Sequence, residues 1–340
     1  MTPASTPTPA TQSSVAVPFP DARPNGYEWL DDEPAFDPER HLALTEPDDV
    51  IMLADLGYGR TDIAGKATAI AISSPFRILS DEGAVQMLAT ARRLRPFCRR
   101  ADVRIENMVR GGVYRSRWLR DLCLSAEVAN HLSAIYGADV APHPMGLHLG
   151  HLNYEPSDIN TAVDKWHHDT LPLDYVMTVT DPTITPGGRF EYFVGTKAEA
   201  AALKAAGERP PADRVVAPGL PGSGWAVAMH GDMVVHRGGP LTAQAERITM
   251  VNGYVSLDPD VDMQSRMVDL LAVDDRELLF YEWSRYVAWR SRNRLQSVID
   301  SIGFGVSAAE AASRLQAAIS DVAEAAEQMP SDGTAIDHYE

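Results

Sequence analysis

The segment from Lys165 to Thr170 reads Lys-Trp-His-His-Asp-Thr, and its His-x-Asp triplet joins a neutral nitrogen ligand to an anionic oxygen ligand. Side chains of an extended strand alternate between faces, so His167 and Asp169 point one way and Trp166 and His168 the other. A second imidazole, His236, lies 67 residues beyond Asp169 in the run Gly231–Gly239. In an antiparallel barrel, strands distant in sequence face one another across the interior, which would bring His236 to the same ion. Two histidines and one carboxylate on one face of an octahedral metal suit Fe(II) and leave three positions for exchangeable ligands. Eleven residues past His236 comes Arg247, followed by Ile248 and Thr249. Arg247 and Thr249 share a strand face, where a guanidinium fork and a hydroxyl could clamp one carboxylate.

Other candidates rank lower. His168 would replace His167 only if the strand slipped by one residue. His148 and His151 differ by three positions, which on a single strand places them on opposite faces. His151 does share a face with Asn153, and this pair could touch a cosubstrate if that face turns inward; Thr178 and Thr180 are weaker candidates on the same grounds. His230 precedes a Gly-Asp turn rather than following a strand. The basic run Arg110–Arg120 reads as a solvated or carboxylate-paired face, with Arg115 and Arg117 available to a small acid.

The elements that must position these groups follow from patterning. Short β-branched and aromatic runs separated by Pro, Gly and Asp predict strands at Met145–Tyr154, Ala162–Asp169, Asp174–Thr180, Arg189–Val194, Trp225–Met229, Asp232–His236 and Arg247–Ser256. Before them, Ser80 and Ser125 read as N-caps of support helices, the second ending at Gly137. An Ala-rich helix is expected at Ala198–Ala206, and two more follow from Arg276 to Ser297 and after the Ser307 cap. The expected architecture is mainly β with flanking helices (α+β), as a single catalytic domain over residues 26–328. Its barrel or sandwich core covers about 145–258 and a C-terminal helical region about 259–328. Residues 1–25, rich in Pro, Thr, Ser and Ala, read as a disordered tail, and 329–340 as a frayed one.

Composition bounds the function. With 340 residues at 45% hydrophobic, the chain can bury a full core, and its two cysteines provide no disulfide framework. The formal charge of −17 disfavours nucleic acid as a partner. No run approaches the apolar length of a membrane span or a leader peptide, so the expected setting is the cytoplasm, with no membrane partner. The aromatic helix around Trp283 to Trp289 could support a homodimer through the C-terminal helices.

The series His167-x-Asp169, His236, Arg247-x-Thr249 resembles the Fe(II)/2-oxoglutarate-dependent oxygenases, whose pattern is H-x-D, then H, then R-x-S/T. The Gly187-Gly188 turn and the Gly-Asp segment before His236 look most like the phytanoyl-CoA dioxygenase-like branch. The resemblance spans residues 125–258 and implies a double-stranded β-helix, or jelly roll. It implies Fe(II) on His167, Asp169 and His236, and 2-oxoglutarate held through its far carboxylate by Arg247 and Thr249. No further catalytic acid or base is implied. The implied reaction consumes O2, releases succinate and CO2, and oxidises an unactivated C–H bond of a small metabolite or natural-product intermediate, by default to an alcohol. Two alternatives stay open: a cupin-like metal enzyme that does not use 2-oxoglutarate, and a catalytically silent jelly-roll binding domain.

Overall fold

The computed structural model describes residues 16–101, 104–262, 265–330 and 338–340. Seven strands build the barrel: β1 (His151–Tyr154), β2 (Ala162–His167), β3 (Leu173–Thr178), β4 (Phe190–Phe193), β5 (Trp225–His230), β6 (His236–Pro240) and β7 (Ile248–Ser256). Successive strands alternate between two antiparallel sheets. The larger runs Val50–Met52, Ile70–Ser73, β5, β3, β7, β1, Ile105–Val109, Arg99–Ala101, and the smaller runs Val215–Val216, β4, β6, β2. This alternation is the double-stranded β-helix expected from the sequence.

The period of two decides which side chains reach the interior. Along β3, Tyr175 and Met177 join the cluster under the helices, whereas Val176 and Thr178 line the barrel cavities. β3 is buried at every position because it is covered on both faces. The helices α1 (Asp81–Leu94) and α2 (Ala126–Tyr136) pack against the larger sheet through residues such as Met87, Leu94, Leu132 and Tyr136. Their caps form as predicted: Ser80 accepts from the Gly83 N–H, Ser125 accepts from the Val128 N–H, and Gly137 closes α2 at φ +62°. A capping box of Thr196 and Glu199 opens α3 (Lys197–Ala205).

Three strand expectations are corrected. Within Met145–Tyr154, Gly146–His148 form a single 3-10 turn, and Gly150 at φ +58° separates it from β1. Positive φ interrupts an extended chain, and a β-carbon on Gly150 would lie 2.9 Å from Leu119. Residues 231–233 are a turn in which the Met233 and Val234 N–H groups both donate to the His230 carbonyl, so β6 begins at His236 instead of ending there. β2 stops at His167, because the Asp169 N–H leaves the sheet and donates to the Gly231 carbonyl at 2.8 Å.

The C-terminal region is a helical pair, α4 (Arg276–Ser301) and α5 (Ala308–Gln328). Trp283, Tyr286 and Trp289 are buried in this chain's own core and need no second copy to cover them. On α5, Ala318 and Ala325 face inward while Leu315, Ile319 and Val322 are exposed. The first 15 residues of the expected N-terminal tail lie outside the described residues. From residue 16 the chain packs on the body: Phe19 lies 5.0 Å from the Tyr114 ring, and Arg285 donates to the Pro18 carbonyl. Of the expected C-terminal tail, 331–337 lie outside the described residues. Tyr339 is buried beside the edge strand β2 and donates its N–H to the Trp166 carbonyl. Among the described residues, no helix is long and apolar enough to cross a membrane.

Candidate metal centre

His167 ends β2 and His236 opens β6, and the two are register partners in one sheet, not residues facing across the interior. Pairing fixes their ring centroids 4.2 Å apart. His167 Nδ1 lies 2.6 Å from the Lys165 carbonyl, and His236 Nδ1 lies 3.0 Å from the Val234 carbonyl. With each Nδ1–H donating to those oxygens, both Nε2 lone pairs face the third group. Asp169 Oδ1 stands 3.4 Å from His167 Nε2, and Oδ2 stands 3.6 Å from His236 Nε2. One ligand atom from each residue lies within 4.8 Å of the others. Asp169 Oδ2 is buried with no hydrogen-bond partner, as expected of an oxygen built to meet a cation. Two imidazole nitrogens and one carboxylate oxygen match the donor set of a divalent first-row ion.

Burial tends to raise the Asp169 carboxyl, but His236, the hydrogen bond with His167 and Arg104 outweigh it and hold the group well below the carboxylate range. Burial and then neighbouring His167 hold His236 down at about 4, so it is a neutral imidazole at pH 7. Behind Asp169 lies Asp174, fully buried, whose carboxyl is pushed well above the usual range by burial and then by the Asp169 charge. Gly231 makes room for both. A β-carbon there would overlap Asp174 and sit 3.1 Å from Asp169 Cβ.

The three groups line a cavity of about 80 Å³ whose wall also includes Arg247 and Thr249, and a neighbouring cavity of about 260 Å³ shares these two residues and Phe190. Arg247 is buried. Its Nε donates to the Gly188 carbonyl at 2.9 Å and its Nη1 to Thr249 Oγ1 at 2.9 Å. Gly187 and Gly188 take φ of +78° and +63°, and a β-carbon on Gly188 would lie 3.1 Å from Arg247 Cγ. Burial lowers Arg247 to about 10, partly offset by Asp164 and Glu155, so it stays cationic at neutral pH.

No protein-family model matches this chain, and no curated protein matches it. Solved structures do. The non-haem α-ketoglutarate-dependent epimerase SnoN from nogalamycin biosynthesis is 18% identical, over 52% of this chain and 74% of that one, with a TM-score of 0.37. AviO1 from Streptomyces viridochromogenes Tue57 is 19% identical over 62% and 97%, with a TM-score of 0.41. EctD from S. alaskensis, solved with 2-oxoglutarate and 5-hydroxyectoine, is 17% identical over 72% and 89%, with a TM-score of 0.40. What this chain can do is read from its own site.

The remaining candidates sort by position. His168 turns away from the centre, its Nδ1 2.8 Å from the Tyr339 hydroxyl. His230 is buried against Asp232, 2.7 Å away, outside the donor cluster. Thr178 and Thr180 line the second cavity, with Thr178 opposite Thr249 in register. His151 and Asn153 line the cavity that holds the three metal-site groups, opposite Val251 and Thr249 across β1 and β7. Arg115 stacks on Tyr27 and Phe97, and Arg117 on Trp29, so both face the N-terminal segment and not the cavity. Arg110 alone of that basic run reaches the cavity wall.

Sequence reasoning passed over three groups at the site. Arg104 pairs with Asp164 at 2.9 Å beside His167, and no local pattern joins residues so far apart. His148 lines the same cavity as His151 because it stands on a turn, where the strand-face argument against it does not apply. Glu282 on α4 accepts the Leu147 N–H at 2.9 Å and the Tyr114 hydroxyl at 2.5 Å, pinning that turn from outside.

Proposed function

We propose that this chain is an Fe(II)- and 2-oxoglutarate-dependent oxygenase that hydroxylates an unactivated C–H bond of a small metabolite or natural-product intermediate. The observation that carries the reading is the convergence of His167, Asp169 and His236, with a buried Arg247–Thr249 pair on the wall of the same cavity. In it, His167, Asp169 and His236 hold the iron. Arg247 and Thr249 fix the far carboxylate of 2-oxoglutarate through charge-assisted hydrogen bonds, which sets the orientation of its keto-acid end. Bound iron supplies the O2 activation that converts 2-oxoglutarate to succinate and CO2 and oxidises the substrate carbon. The backbone carbonyls of Lys165 and Val234 hold the imidazole rings in orientation. The buried cavity wall, including Val176, Phe190 and Leu171, keeps bulk water from the reacting groups. Cupin-like enzymes that dispense with the cosubstrate usually use three or four histidines. Here His148 and His151 stay outside the donor cluster, which favours the first reading.

Anaerobic addition of Fe(II) and then 2-oxoglutarate should raise the weak visible charge-transfer band of a chelated keto acid, and His236→Ala should abolish it. Metal binding without the band would favour a metal enzyme that does not use 2-oxoglutarate. No metal binding would leave a silent scaffold.

A further inference from the structure

The cavity wall carries hydrogen-bonding atoms that neither a metal nor 2-oxoglutarate would satisfy. His148 is buried, lines the cavity, and has no hydrogen-bond partner at Nδ1 or Nε2 among the described residues. His151 Nε2 and Asn153 Oδ1 are likewise buried and unmet. A buried polar atom left bare is destabilising, so these groups imply a partner.

Their order along the sheet separates two ligands. Asn153 stands opposite Thr249 and His151 opposite Val251. Next on that face of β7 is Gly253, whose missing side chain makes room for His148: a β-carbon there would lie 3.3 Å from His148 Cβ. From Thr249 to Gly253 the strand advances about 13 Å. A five-carbon diacid held at the Thr249 end covers only about half of that advance, with carbon–carbon bonds of about 1.5 Å.

Charge narrows the class. Each cation on this side of the cavity already has a carboxylate: Arg104 is on Asp164, and Arg110 makes a fork with Asp274 at 2.8–3.1 Å. Asp269, the acid of this wall, is bound by Arg266 at 2.7 Å. Burial and then the neighbouring His143 and Arg110 hold His148 well below the usual imidazole range, so it is neutral and offers one donor and one acceptor. A carboxylate only accepts and an ammonium only donates, so either leaves one ring nitrogen bare. Two hydroxyls of one molecule, one accepting from the ring N–H and one donating to the other ring nitrogen, meet both without burying a charge that the ions here, already paired, would leave unneutralised; His151, one step along the same face, offers the next polar atom. Ile105, Met108, Leu270 and Val273 add apolar surface for the carbon frame.

We infer that the wall around His148 is the substrate subsite and that it takes an uncharged molecule bearing at least two hydroxyls, not an acid or an amine. This rests on the oxygenase reading above, because it assigns Arg247 to the cosubstrate.

The test is ligand-observed NMR on the full chain loaded with Zn(II) and 2-oxoglutarate, using cyclohexanediol and methyl glucoside as neutral probes. Their matched carboxylates (hydroxycyclohexanecarboxylate, methyl glucuronoside) and aminocyclohexanol are the charged controls. The neutral probes should bind at least ten-fold tighter than the controls. His148→Phe should remove that binding, and His148→Gln, which keeps a donor and an acceptor, should restore most of it. Tighter binding of an acid or the amine, no binding of either neutral probe to the wild type, or equal binding to His148→Phe would each overturn the inference. The wild-type preference tests it even if His148→Phe fails to fold. Absence of the Fe(II)–2-oxoglutarate band in the wild type would overturn the underlying reading instead, so the two failures are distinct.

Discussion

His167 and His236 are register partners across β2 and β6, although 69 positions separate them in the chain. The same pairing that builds the small sheet therefore sets the distance between two imidazoles, and two backbone carbonyls set their orientation. Asp169 joins them only because the chain leaves the sheet after His167 and is caught by Gly231. The candidate ligand set is thus held by backbone, with little dependence on side-chain packing.

Removal of one ligand should cost metal affinity more than it costs stability. Asp169→Ala or His236→Ala should weaken Fe(II) binding by well over the roughly 10–100-fold typical of outer-shell changes. Metal content after dialysis reports it, and retention of stoichiometric iron in either variant would refute the assignment.

Arg247→Lys keeps a positive charge but loses the planar fork and the Nε bond to Gly188. Loss of one charge-assisted hydrogen bond, about 1.5–3 kcal/mol, should raise the concentration of 2-oxoglutarate needed for half-saturation by roughly 10–100-fold. Metal affinity should stay as in the wild type. Calorimetric titration separates the two, and loss of iron instead would give Arg247 a different role.

Gly231→Ala inserts a β-carbon between Asp169, Asp174 and the Leu171 carbonyl. The overpacking should destabilise the fold by about 1–3 kcal/mol, and displacement of Asp169 should weaken the metal by about ten-fold. Unchanged metal affinity would mean that Asp169 is not held by this turn.

Burial pushes the Glu282 carboxyl up to about 7 from an ordinary value of 4.5, with the Tyr114 hydroxyl and Leu147 N–H pulling the other way. Asp274 adds to the rise and Arg110 opposes it. Between these two values the folded chain keeps a proton that the unfolded chain has lost, so stability falls as pH rises through that window. Over the full window the loss is on the order of 3 kcal/mol. Glu282→Gln has no such term, so the variant should gain on the wild type from pH 5 to pH 8 in denaturant unfolding. Parallel pH curves would exclude a protonated Glu282 under the His148 turn.

Much of this was legible in the residues. The His-x-Asp, His and Arg-x-Thr series named the candidate groups, and caps such as Ser80, Ser125 and Ser307 marked helix starts, because capping acts within three or four residues. Strand alternation correctly put Arg247 and Thr249 on one side, where both line the cavity and hydrogen-bond to each other. It failed at Gly146–Gly150, where a turn held by Glu282, more than 130 residues away, carries His148 into the cavity.

The order of residue types along the chain thus determined which groups could bind a metal and a carboxylate, since that depends only on their chemistry and local spacing. The tertiary structure alone decided that His167 and His236 are register neighbours, that Arg104 neutralises Asp164, and that His148 faces the site. Those relations arise from strand pairing and burial between distant segments, and no rule of sequence spacing reaches that far.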